Sequence, residues 1–133
     1  MRILIDSNNL ISAALNAKST PYQAFLKAVT YPNKAVICEQ NIEELKRIFH
    51  YKFPEKIDLL EQFLTLALLV IDVIPTPNNT VKIEELIRDS ADRPIIRAAV
   101  MADVDIIITG DKDFLESGIH DPKIMTASEF VNM

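Results

Sequence analysis

Acidic residues follow two apolar runs that lie far apart in the sequence. The run RILID ends at Asp6, and the run DIIIT (105–109) is followed by Asp111 and Asp113. Short apolar runs without alternation are typical of parallel strands that are buried on both faces. In open α/β sheets, ligands bind beyond the carboxyl ends of the strands. If the two strands are neighbours, we expect these acids to meet at one edge of the sheet.

Two predicted helices add further acidic candidates. Asp92 opens a helix predicted over residues 92–104. Glu43 and Glu44 lie in the first turn of another, predicted over residues 41–53. Carboxylates near helix N-termini are common for a structural reason, because they satisfy free backbone amides and the helix dipole. For Asp92 or Glu44 alone, that structural role is the stronger interpretation. The convergence of several acids at one sheet edge is what favours a functional site.

Clustered carboxylates repel one another, so they must take up protons or bind a cation. Neither His50 nor His120 has a partner at metal-ligand spacing, and Cys38 is the only cysteine. Oxygen ligands without imidazole or thiolate favour Mg²⁺ or Mn²⁺ over zinc. Mg²⁺ held by few carboxylates keeps several waters and typically meets a phosphate. The acids therefore predict metal-assisted phosphodiester hydrolysis.

The composition limits the other function classes. The chain has 133 residues, 49% of them apolar, and a net charge of −5. This charge does not indicate a protein that binds nucleic acid through bulk positive charge, although a bound cation reverses the local field. The apolar part of MRILID is too short for a signal peptide, and no apolar run is long enough to span a membrane. Together with a single cysteine, expected to be buried, this predicts a cytoplasmic protein without membrane association.

Strand and helix patterns alternate along the chain. Strands are predicted at residues 2–6, 34–38, 105–109 and 123–125, and helices at residues 8–16, 19–29, 41–53, 56–71, 92–104 and 126–133. Residues 75–80 form the clearest predicted loop, and residues 81–89 are ambiguous between helix and irregular structure. The alternation predicts a single domain, residues 1–133, with a three-layer α/β/α sandwich and a mostly parallel central sheet. The chain contains no G-x-G-x-x-G or Walker pattern, so a nucleotide-binding phosphate loop is not expected.

Four segments together resemble the PIN-domain ribonuclease family. They are ILIDSNNLISA (3–13), EELKRIF (43–49), IRDSADRPIIRAA (87–99) and VDIIITGDKDF (104–114). The resemblance covers nearly the whole chain and is nearest to bacterial and archaeal toxins of toxin–antitoxin pairs, related to VapC-type toxins. It implies a PIN-like fold, an endoribonuclease that cleaves single-stranded RNA with Mg²⁺ or Mn²⁺, an antitoxin protein as partner, and a homodimer.

The family's first three acids map onto separate segments of this chain. The first maps to Asp6, in a motif usually written Asp-Thr-Asn that here reads DSN, so the hydroxyl is kept. The second maps best to Glu44, with Glu43 as the weaker alternative. The third maps to Asp92 in DRPII.

The family's last pair of acids maps to Asp111 and Asp113. One of them is implied as a ligand and the other as a supporting group, and the sequence leaves open which is which. The resemblance thus implies four catalytic metal ligands: Asp6, Glu44, Asp92 and Asp111. It implies Asp113 as an additional ligand of the metal. Ser7 and Thr109 are implied as hydroxyl contacts near the site.

Two other function classes compete with the nuclease. A haloacid-dehalogenase-like phosphatase also begins with an acid after its first strand, but it needs a second Asp two residues on, where this chain has Asn8. A non-catalytic module that binds RNA or a protein partner is the other alternative. The basic stretch LKRIFHYK (45–52) would suit an RNA backbone, with Phe49 and Tyr51 stacking on bases. A solvated helix face is the favoured interpretation of that stretch.

Overall fold

The computed structural model describes residues 1–133 and is built around a five-stranded, wholly parallel sheet in the order β3-β2-β1-β4-β5. The strands are β1 (Arg2–Ile5), β2 (Lys34–Cys38), β3 (Ile71–Ile74), β4 (Ile106–Ile108) and β5 (Lys123–Met125). The helices are α1 (Ser7–Leu15), α2 (Thr20–Val29), α3 (Glu39–Lys52), α4 (Ile57–Ala67), α5 (Arg93–Met101), α6 (Lys112–Leu115) and α7 (Ala127–Val131). Short 3₁₀ turns cover Pro54–Lys56, Lys82–Leu86 and Ser90–Asp92.

Helices cover both faces of the sheet because successive strand residues point to opposite sides. Ile3 and Ile5 of β1 pack in one apolar cluster with residues of α1, α2, α3, α4 and α7. Leu4, which lies between them, packs in a second cluster with residues of α5 and α6. The three-layer α/β/α sandwich predicted from the sequence is therefore confirmed, and the sheet is entirely parallel.

The central position of β1 brings two distant parts of the chain together. Ile5 is in register with Ile108 of β4, and Leu4 is in register with Val36 of β2. The backbone N–H of Asp6 then donates to the carbonyl of Ile108 at 3.0 Å. The condition on which the acids were expected to meet is therefore fulfilled: the strands that precede them are neighbours, and their carboxyl ends lie side by side.

Local capping signals set several helix boundaries. The Ser19 side chain accepts a hydrogen bond from the backbone N–H of Tyr22, and Pro21 occupies the first turn of α2. At the other end of the chain, Thr126 and Glu129 form a reciprocal capping box at the start of α7. Both helices begin where the sequence predicts them, because each cap depends on residues only three positions apart.

The prediction of a long helix over residues 56–71 is wrong at the C-terminal end of that helix. The helix α4 ends at Ala67, and the chain turns into β3, which pairs in parallel with β2. Ile71 and Ile74 are buried in this edge strand, whereas Val73 is 45% exposed. A continuous apolar run satisfies helix and strand periodicity equally well, so the boundary depends on pairing with a distant strand.

Smaller differences concern the segments near the sheet's carboxyl edge. The helix α3 begins at Glu39, directly after β2 and two residues before the predicted start at residue 41. The ambiguous segment 81–89 contains a 3₁₀ turn, and the short helix α6 was not predicted. Cys38 is buried, as expected. No helix of the protein is both long enough and apolar enough to cross a lipid bilayer.

Candidate active site

Asp6 lies at the carboxyl end of the central strand and is only 6% exposed. It caps α1, with Oδ1 accepting from the backbone N–H of Ser7 at 2.8 Å. Its other oxygen, Oδ2, accepts from the hydroxyl of Thr109 at 2.8 Å. Burial raises the pKa of Asp6 to about 6, and the two hydrogen bonds oppose this rise. The carboxylate is thus held in one orientation although its charge is costly to bury.

The hydroxyl of Thr109 connects Asp6 to the next acid along the chain. Thr109 follows β4 and is fully buried. Its oxygen accepts a hydrogen bond from the backbone N–H of Asp111 at 3.0 Å. The Asp111 carboxylate caps α6 by accepting from the backbone N–H of Asp113 at 2.9 Å. Asp111 is thus oriented by its own cap and by Thr109, and its charge acts on Asp6.

Asp92 stands at the junction of the 3₁₀ turn Ser90–Asp92 and α5, and its side chain makes no capping hydrogen bond. Partial burial raises the pKa of Asp92 to about 7, and the negative charge of Asp111 is the next largest cause. The charges of Asp89, Asp6 and Glu44 raise it further. These carboxylates therefore lie within the range over which their charges act on Asp92.

Glu44 lies in the second turn of α3, because that helix begins earlier than predicted. Its charge raises the pKa values of both Asp6 and Asp92. Glu43 is exposed and is not among the charges that affect either group. Of the two alternatives that the sequence left open, Glu44 is the one that faces the other acids.

The four converging carboxylates have no basic partner. The salt bridges of the protein involve Asp72, Glu84, Asp113 and Glu116, and none involves Asp6, Glu44, Asp92 or Asp111. Buried negative charge without compensation is destabilising unless a proton or a cation is taken up. Carboxylate oxygens are the donors that Mg²⁺ and Mn²⁺ prefer, so the chemistry of these residues fits such an ion, although the acids whose oxygens lie within 4.8 Å of one another are Asp89, Asp92 and Asp113.

Asp113 lies at the outer end of the cluster and differs from the other acids. Its Oδ1 is 2.8 Å from a terminal nitrogen of Arg88, which is also 3.3 Å from Glu116. Carboxylate oxygens of Asp89, Asp92 and Asp113 lie within 4.8 Å of one another. The structure therefore brings all five predicted acids into one region, but it provides Asp113 with a cation from the chain itself.

Two further polar residues were not predicted from the sequence. Asp89 caps the turn that leads to Asp92, by accepting from the backbone N–H of Ala91 at 3.0 Å. Its position three residues before Asp92 was the available signal. Asn41 is fully buried, and neither polar atom of its side chain has a hydrogen-bond partner. It stands one turn before Leu45 on the buried stripe of α3, where an apolar residue would be expected.

The basic stretch of α3 does not form a stacking platform. Phe49 is fully buried in the core and cannot reach a base, which corrects that part of the RNA-binding interpretation. Tyr51 is 86% exposed, and Lys46, Arg47 and Lys52 are exposed as well. These features agree with the favoured interpretation, a solvated helix face.

The fold and the converging acids define an α/β protein with a carboxylate-rich site at the carboxyl edge of a parallel sheet. Residues 2–113 match the PIN domain family, and the chain belongs to that family. No curated protein sequence shows significant similarity to it.

Two solved structures share the fold at low sequence identity. A chain of VapBC2 from Rickettsia felis, crystallised with a DNA fragment from its promoter, aligns with a TM-score of 0.70 and 14% identity, over 95% of this chain and 98% of that one. PAE2754 from Pyrobaculum aerophilum aligns with a TM-score of 0.64 and 14% identity, over 99% and 93% of the two chains. Likeness at this level of identity establishes the fold alone.

Proposed function

We propose that this protein is a metal-dependent endoribonuclease that hydrolyses phosphodiester bonds in single-stranded RNA. The observation that carries the proposal is the convergence of Asp6, Glu44, Asp92 and Asp111 without a basic partner. Membership in the PIN domain family supports a nuclease. The phosphatase alternative has no comparable support, since an amide, Asn8, stands where it requires a second acid.

The same four residues would hold Mg²⁺ or Mn²⁺, with Asp113 as an additional candidate. When bound, such an ion supplies Lewis-acid activation of water and of the phosphodiester. The chain's own contribution is orientation. Asp6 is held by Ser7 and Thr109 before any ligand arrives, whereas the Asp92 side chain is free of hydrogen bonds and can turn toward a ligand.

A divalent ion also explains how a protein with a net charge of −5 would approach RNA. The ion reverses the sign of the field at the acids, so that a phosphate is attracted where it would otherwise be repelled. RNA is proposed as the substrate because the four sequence segments resemble ribonucleases of this family.

We further propose that residues 1–133 act as one domain and as the toxin of a toxin–antitoxin pair. The fold it shares with a chain of VapBC2 supports an antitoxin protein as partner. A homodimer and a cytoplasmic location complete this proposal and follow from the resemblance and the composition. Gel filtration tests the homodimer, and coexpression with the product of the neighbouring gene tests the antitoxin partner.

The decisive test of the chemistry is a cleavage assay with labelled single-stranded RNA and, in parallel, single-stranded DNA. Wild type should cut RNA with Mn²⁺ or Mg²⁺ and should not cut it in EDTA. Asp6→Asn should abolish cleavage while circular dichroism shows a retained fold. Asp58→Asn removes an exposed acid of α4 and is the matched control, expected to cleave as wild type does. Equal cleavage by Asp6→Asn and wild type would remove the nuclease assignment, and RNA binding without cleavage would favour the non-catalytic module.

A further inference from the structure

A second polar feature adjoins the acids without being part of them. A cleft of about 550 Å³ lies between α5 and the segment that contains the 3₁₀ turn Lys82–Leu86. Only one of its eight lining residues is hydrophobic. The groups that decide its chemistry are Thr80, Lys82, Glu84, Ser90, Arg93 and Arg97.

One wall of the cleft is an ion pair whose charges are already satisfied. The Arg97 guanidinium donates to both carboxylate oxygens of Glu84, at 3.2 and 2.7 Å, and to the carbonyl of Pro77 at 3.0 Å. Glu84 is 3% exposed and also accepts from the backbone N–H of Val81 at 2.7 Å. This pair holds the loop against α5 and contributes no free charge to a ligand.

The remaining lining groups leave positive charge available. The Arg93 Nε donates to the carbonyl of Ile87 at 2.9 Å, which orients the guanidinium and leaves its two terminal nitrogens without a protein acceptor. Lys82 is exposed and forms no salt bridge. The exposed residues Thr80 and Ser90 add two hydroxyls to the lining. Against these groups stands one free carboxylate, that of the exposed Glu85.

An oriented guanidinium, a flexible ammonium and two hydroxyl donors match the chemistry of a phosphodiester anion. The cleft also shares a turn of backbone with the acids, since Ser90 opens the 3₁₀ turn that ends at Asp92 and Arg93 follows directly. Asp92 thus stands between two residues that line the cleft, so a strand whose cleaved phosphate lies at Asp92 has the cleft on one side of that phosphate.

We propose that this cleft is a subsite for a backbone phosphate of the RNA strand, with Lys82 and Arg93 as its cationic contacts. The proposal rests on the nuclease function proposed above and names how that site holds its substrate. Because the contacts are to phosphate, the subsite adds affinity and register but carries no base preference.

The test measures binding of fluorescein-labelled single-stranded RNA to the Asp6→Asn protein in Mg²⁺ over a series of salt concentrations. Lys82→Ala should weaken binding to RNAs of different sequence by the same factor and reduce the slope of log K against log salt by about 0.7, the value for one single-strand phosphate contact. Arg93→Gln should do the same, and the double variant should lose both contributions. Because Lys82 is exposed and makes no contact that the fold needs, a folding defect does not confound its result.

Lys18→Ala is the matched control, because it removes an exposed cation beyond the C-terminal end of α1, at the opposite end of that helix from Asp6. A salt slope for Lys82→Ala and Arg93→Gln equal to that of Lys18→Ala would overturn the subsite. If the two cleft variants reduce the salt slope but the wild type does not cleave RNA, the subsite is supported and only the proposed nuclease activity is contradicted. If the wild type cleaves RNA but the cleft variants leave the salt slope unchanged, the nuclease activity is supported and the subsite is contradicted.

Discussion

The hydroxyl of Thr109 donates a hydrogen bond to Asp6 at 2.8 Å, across 103 positions of sequence. The contact exists because β1 and β4 are adjacent and parallel and end at the same level. It opposes the effect of burial on the pKa of Asp6, since a hydrogen bond to the carboxylate favours the charged form. The hydroxyl that follows β4 therefore favours the charged form of the acid that follows β1, which is the form that the proposed metal site requires.

Thr109→Val replaces this hydroxyl with a methyl group of similar size. We expect the pKa of Asp6 to rise and Mn²⁺ affinity, measured by isothermal titration calorimetry, to fall roughly 10–100-fold, as for other groups that support metal ligands. Thr109→Ser keeps the donor and should retain most of the affinity. If Val and Ser variants bind Mn²⁺ equally well, the hydroxyl has no part in preparing the site.

The metal-free protein should lose stability as pH rises from 5 to about 7, and its stability should change little from there to pH 8. The pKa values of Asp6 and Asp92 are raised to about 6 and about 7, so their contribution is full below the ordinary Asp value and is lost as pH passes through the raised values. For buried Asp6, the full shift from 3.8 to about 6 corresponds to up to about 3 kcal/mol of unfolding free energy, of which roughly half falls above pH 5. The lowered pKa of Glu84 acts only at more acidic pH, outside this window.

Urea denaturation in EDTA at several pH values measures this effect. Asp6→Asn should flatten the profile, because the amide has no charge to bury, and it should be more stable than wild type at pH 8. Saturating Mg²⁺ should restore wild-type stability at that pH by binding only the folded state. An unfolding free energy that is constant or increases between pH 5 and 8 in EDTA would contradict the prediction.

Asp111 and Asp113 should differ in their effect on cleavage. Asp111 forms no salt bridge, whereas Asp113 forms one with Arg88 at 2.8 Å. We expect Asp113→Asn to reduce the cleavage rate about tenfold, as for a supporting group, and Asp111→Asn to reduce it further. Single-turnover cleavage rates of the two variants decide the order, and a larger loss from Asp113→Asn would assign Asp113 as the ligand instead.

Asn41→Leu should stabilise the protein. The buried amide makes no hydrogen bond, and an unsatisfied buried polar group costs about 1–3 kcal/mol. Leucine has the same number of side-chain heavy atoms, branched at the same carbon, and it continues the apolar stripe of Leu45 and Phe49 on α3, although it fills more volume. The unfolding free energy from urea titration should rise by about 1 kcal/mol, compared with Asn79→Leu in an exposed loop as control. A loss of stability would contradict the prediction, and Asn41→Ala, which removes the amide without adding volume, separates overpacking from loss of a bound water.

Several elements could be predicted because their signals are local. The strand Lys34–Cys38 and the strand Lys123–Met125 have the predicted bounds, and α7 begins at its capping box. The boundary between α4 and β3 could not be predicted, because the apolar residues there fit either a helix or a strand and β3 forms only by pairing with β2. The helix α6 is a single capped turn, too short for a periodic pattern.

The sequence by itself determined which residues are able to act: acids placed directly after buried strands or at helix starts, in an order that resembles one nuclease family. Tertiary structure decided which of them meet and in what state. It brought the charge of Glu44, and not that of Glu43, to bear on Asp6 and Asp92, placed Asp89 beside Asp92, and paired Asp113 with Arg88. The physical reason is that burial and Coulomb interactions depend on distances between segments about a hundred residues apart, and local periodicity carries no information about those distances.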